Sequence, residues 1–66
     1  MKMHYGEKSD ALCLRLVESK IIESEEAQPG IVLDFDANSQ VVGVEILHVK
    51  ERVPSADLKH LDFKVA

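Results

Sequence analysis

Between Gly30 and Val49 the chain reads GIVLDFDANSQVVGVEILHV, two runs that alternate apolar and polar positions around a short polar stretch. Side chains in a strand switch faces at every residue, so Ile31, Leu33, Phe35, Val42, Val44 and Ile46 share one face. Val32, Asp34, Asp36, Val41, Gly43, Glu45 and Leu47 share the other. A four-residue turn at Ala37-Asn38-Ser39-Gln40 sets Asp36 opposite Val41, Phe35 opposite Val42, Leu33 opposite Val44 and Ile31 opposite Ile46. A slip of one residue would turn Asp34, Asp36 and Glu45 inward at the cost of burying unpaired charge, so the register is strongly specified.

The same period runs through the first third of the chain. Lys2 to Tyr5 reads as a strand that ends at the turn-forming cluster Gly6-Glu7-Lys8-Ser9-Asp10. Ala11 to Val17 alternates Leu12, Leu14 and Leu16 against Ala11, Cys13, Arg15 and Val17, and a hairpin pairing Tyr5 with Leu12 and Met3 with Leu14 keeps the apolar faces together. Glu18 to Gln28 is ambiguous. A turn followed by an irregular edge strand fits it, but its glutamates also suit a helix of about two turns closed by Pro29-Gly30. After the central hairpin, His48 to Val53 predicts a single helical turn stopped by Pro54. Ser55 then reads as the N-cap of a short helix to Leu61, with Leu58 and Leu61 facing the sheet. Asp62 to Ala66 alternates again and reads as a last strand, of a kind that can be exchanged between subunits.

At 66 residues the chain is one domain, 1–66, near the size where a single core is barely sufficient. The lone Cys13 excludes an internal disulfide and a Cys-rich zinc site, which leaves self-association as the expected support. One thiol, no signal-like segment and no apolar run of membrane length predict a soluble, cytoplasmic protein with no membrane partner.

Charge is unevenly spread. Residues 1–20 carry four Lys or Arg against three Asp or Glu, and residues 50–66 repeat that balance. From Ile21 to Val49 there is no Lys or Arg but six acids: Glu23, Glu25, Glu26, Asp34, Asp36 and Glu45. Such a segment argues against direct nucleic-acid binding and for a basic partner or a cation, or else for a solvated face whose charge deters edge pairing.

Several stretches together resemble the YuzE-like family of small prokaryotic proteins, a domain of unknown function. They are Tyr5, Asp10-Ala11-Leu12 with Leu14 and Leu16, Glu23-Ser24-Glu25-Glu26 with Pro29-Gly30, Leu33-Asp34-Phe35-Asp36, and Val42-Gly43-Val44-Glu45-Ile46-Leu47. Cys13 stands where that family often has an aromatic residue, and Asn38-Ser39-Gln40 lacks its usual turn glycine, which makes Asn38 the candidate for positive φ. The resemblance implies no activity, cofactor or catalytic residue. Through members thought to be encoded beside small toxin-like proteins, it implies an antitoxin-like or regulatory role.

The candidate partner-binding residues are Asp34, Asp36 and Glu45, with Gly43 opposite Asp34 leaving room above them. Three carboxylates are also hard oxygen ligands for Ca²⁺ or Mg²⁺, although the spacing matches no calcium loop. Alternatively Arg15, if its strand is a neighbour, pairs with Asp34 or Glu45. His4, His48 and His60 follow no ligand spacing, and Cys13 reads as a small hydrophobe. The expectation is thus an α+β fold, a small antiparallel β-meander of four to five strands with a short C-terminal helix. It would be a homo-oligomeric, non-enzymatic module without cofactor that presents an acidic face to a basic protein. A divalent-metal-binding protein using Asp34, Asp36 and Glu45 is the alternative, and a small enzyme the third.

Overall fold

The computed structural model describes residues 1–55 and 57–66. Five strands, β1 (Lys2–Gly6), β2 (Ala11–Arg15), β3 (Glu23–Gln28), β4 (Ile31–Phe35) and β5 (Val41–Ile46), precede one helix, α1 (Val49–Arg52). They form a single sheet of order β1-β2-β5-β4-β3 in which every neighbouring pair is antiparallel, the α+β architecture expected. β3, β4 and β5 follow one another as a meander, and β2 joins the free side of β5.

The first hairpin pairs Tyr5 with Leu12 and Met3 with Leu14, as the alternation requires. Because β5 lies between β2 and β4, residues 16–22 must carry the chain across to the far edge. Arg15 fastens that crossing: its Nε donates to the Val17 carbonyl at 3.3 Å and its Nη2 to the Ser19 carbonyl. Leu16 N–H donates to Val42 and Ile22 N–H to Phe35, both at 2.8 Å, so the connection is bonded to the sheet at each end.

Glu23 to Gln28 is an edge strand and not a helix, irregular between Glu26 and Gln28 where its register with β4 shifts. In the central hairpin Ile31 meets Ile46 and Leu33 meets Val44 as expected, but Phe35 pairs with Val41 instead of Val42. The turn is one residue shorter than the spacing suggested. Ser39 N–H bonds the Asp36 carbonyl and Asp36 N–H the Gln40 carbonyl, both at 3.0 Å, which makes Ala37-Asn38-Ser39 a three-residue loop. Ser39, not Asn38, takes the positive φ, 59°. A bulge at the Asp34/Phe35 step absorbs the lost residue and restores the apolar register beyond it.

The helical turn after His48 forms, but the expected helix from Ser55 to Leu61 does not; Ala56 lies outside the described residues. Turns flank that position, and one of them is held by the Asp57 carboxylate accepting from Lys59 N–H at 3.0 Å, a local bond that competes with helix formation. Residues 62–66 are exposed and form no strand, pairing with neither sheet edge. No helix among the described residues is long and apolar enough to cross a membrane.

Candidate functional site

Pairing across the ladders brings Ser24, Asp34, Gly43 and Arg15 into one row and Cys13, Glu45 and Val32 into the next, on the face opposite the leucines. Asp34 was expected to lie on an outward, solvated face, yet it is only 4% exposed. Ser24 Oγ donates to its Oδ1 at 2.6 Å. On the other side Gly43 offers no side chain, and that leaves the space into which Oδ2 projects. Alternation correctly assigned Asp34 its face. It does not reveal how much of that face is covered.

Glu45 completes a carboxyl pair. A hydrogen bond with Asp34, partial burial and the Asp34 charge all push Glu45 above the ordinary glutamate range, because two carboxylates this close are not both stable as anions. Glu45 therefore holds a proton more tightly than an isolated glutamate does. Cys13, directly across from Glu45, is pushed up by burial and then by the Glu45 and Asp34 charges, which disfavours its thiolate.

Asp36 does not join them. Its Oδ1 accepts from Asn38 N–H at 2.9 Å and Gln40 N–H at 3.0 Å, so this carboxylate organises the hairpin loop. Among the described residues no three His, Cys, Asp or Glu side chains are placed to hold a metal ion, and the three-carboxylate ligand set is therefore not assembled. Arg15 lies opposite Gly43, with β5 between it and Asp34, and it spends its guanidinium on the Val17 and Ser19 carbonyls. The ion pairs among the described residues are instead Lys2–Glu18 and Lys64–Asp62, each at 3.7 Å on the surface.

Of the six acids between Ile21 and Val49, the exposed ones are on β3, where Glu23, Glu25 and Glu26 sit in a strand exposed at all six positions. A second polar cluster that the sequence did not point to joins the first hairpin to α1. Tyr5 Oη donates to Asp10 Oδ1 at 2.6 Å, and the Asp10 carboxylate accepts Lys50 N–H at 3.2 and 3.3 Å, which caps the start of α1 from another element. Asp10 has φ 53° and His48, the N-cap, φ 55°. Ser24 and Asp10 were the legible but overlooked signals: a lone hydroxyl within ESEE, and an acid closing a turn cluster.

A family model described as "Protein of unknown function (DUF2283)" matches residues 2–50, from the start of β1 into α1. Among the curated proteins and the solved structures, nothing matches this chain.

Proposed function

The chain belongs to the DUF2283 family of proteins of unknown function, and from its surface we propose a non-enzymatic binding module that engages a basic protein segment along β3. One observation carries the reading. β3 is an edge strand exposed at every position, with three carboxylates, inside the stretch from Ile21 to Val49 that holds no Lys or Arg. An edge strand offers unpaired backbone donors and acceptors to an extended peptide, and the glutamates select a cationic one. Of the four candidate contact residues Asp34, Asp36, Gly43 and Glu45, Asp34 supports this strand from within through Ser24, and Asp36 holds the hairpin loop. The antitoxin-like role that the YuzE-like resemblance implies is one form such binding takes, and the lone thiol suits a reducing, cytoplasmic setting.

The test is a low-salt pull-down from the host lysate with tagged wild type beside Glu23→Gln/Glu25→Gln/Glu26→Gln and Glu45→Gln. A basic protein should be retained by wild type and by Glu45→Gln, released by salt, and lost with the triple variant. Equal retention by all three proteins would refute the reading. The divalent-metal alternative gains no support from the geometry, since Asp36 points to its own loop.

A further inference from the structure

We propose that the apolar face of the sheet is the contact surface of a homodimer and is covered by a second copy of this chain. On that face Leu12, Ile46 and Ile31 form one row and Leu14, Val44 and Leu33 the next, across the middle three strands. These central side chains are all only half-buried, while Asp34 on the opposite, polar face is nearly sealed. Ala11, Val42 and Val49 are buried, but these two apolar rows at the centre of the sheet keep only partial cover, short of what a second layer gives.

The surface area gives the size of what is missing. The chain exposes 5335 Å², about 1,100 Å² more than the roughly 4,200 Å² that a folded monomer of 7.4 kDa exposes. A stable protein interface covers about 800 Å² on each partner, so the surplus matches one side of one interface. Part of it lies in the C-terminal segment, where Leu61 is 61% and Phe63 69% exposed beside Met3 and Leu14 in a groove at the margin of the same face. A second copy is the occupant this surface favours. A two-fold contact needs only one patch used by both chains, and sheets with apolar faces pack on each other about 10 Å apart. Pairing two copies edge to edge through β3 is disfavoured because it sets the three glutamates of one chain beside those of the other.

The full chain would be followed by sedimentation and light scattering from about 5 to about 200 μM, where mass action reveals a dimer. The expected mass is twice 7.4 kDa. Phe63→Asp changes an exposed residue on which the fold of one chain does not depend, and it should weaken dimerisation by at least about tenfold while circular dichroism stays unchanged. Mixed labelled and unlabelled wild type should give inter-copy NMR contacts among Leu14, Leu33 and Val44 methyls, an arm that needs no variant to fold. A monomer throughout, inter-copy contacts confined to β1 or β3, or a dimer as tight with Phe63→Asp as without it would each overturn the proposal. Because this face and the acidic edge are separate surfaces, loss of dimerisation by Phe63→Asp with basic-partner capture retained would separate this inference from the binding reading.

Discussion

A Cβ built on Gly43 would sit 3.0 Å from Oδ2 of Asp34, its partner across the β4–β5 ladder, and 3.4 Å from the Leu14 carbonyl. Asp34 cannot easily turn away, because Ser24 holds its other oxygen at 2.6 Å and the side chain is buried. Replacing a strand glycine with alanine ordinarily gains about 0.5–1 kcal/mol, while overpacking costs about 1–3 kcal/mol. Gly43→Ala should therefore be destabilising by about 1–2 kcal/mol in urea unfolding, and by less in a Ser24→Ala background where Asp34 is free to move. Equal costs in both backgrounds would show that Ser24 does not pin Asp34.

The raised proton affinity of Glu45 makes stability depend on pH. Glu45 binds its proton more tightly in the folded sheet than in the unfolded chain, mainly through Asp34. Its contribution is therefore complete below the ordinary glutamate value of 4.5 and is lost as pH rises through the higher folded value. Thermal midpoints of wild type should fall on the alkaline side of that window. Glu45→Gln, which keeps a neutral donor beside Asp34, should flatten this fall, and an identical profile would place the titrating group elsewhere.

Tyr5 and Asp10 shift each other in opposite directions. The hydrogen bond to Asp10 raises Tyr5 from 10.0 to about 12, and the same bond is the largest cause lowering Asp10. Ultraviolet titration should show no phenolate until well above pH 10, and Asp10→Asn, which tolerates the positive φ, should return Tyr5 towards its ordinary value. Asp10, with its lowered folded value, contributes stability above 3.8 that is lost as pH falls through the folded value, the reverse of Glu45. The acid limb should therefore shrink in Tyr5→Phe, as read by unfolding at low pH.

Much of this fold is legible in period two alone. Met3 facing Leu14, Leu33 facing Val44 and Ile31 facing Ile46 all follow from keeping apolar residues on one side. The bulge beside Phe35 is not legible, because a three-residue and a four-residue loop leave the same apolar pattern once a bulge compensates. Leu58 and Leu61 misled because two apolar residues at helical spacing are too weak a signal against an Asx bond at Asp57. Alternation places Asp34 and Glu45 on the right face, but the burial of Asp34 depends on β2 and β3 flanking the central hairpin, a non-local fact that alternation within one hairpin cannot carry.

Gly30 offers the sharpest test of the link between the β3–β4 turn and α1. Its φ is 81°, and a Cβ there would lie 2.5 Å from Nη2 of Arg52, whose guanidinium donates to the Pro29 carbonyl and, at 3.2 Å from Nε, to the Leu47 carbonyl. Leu47 N–H in turn donates to the Gly30 carbonyl at 2.8 Å, so one arginine fastens two turns that are remote in sequence. Gly30→Ala should cost about 1–2 kcal/mol for the left-handed backbone plus about 1 kcal/mol per arginine bond displaced. Arg52→Ala alone should cost about 1–2 kcal/mol through the same bonds. In the double variant the displaced bonds are lost only once, so its cost should fall short of the sum by about 1 kcal/mol or more. Strict additivity in denaturant unfolding would mean that the arginine moves aside without giving up its carbonyls, and that the backbone strain at Gly30 acts alone.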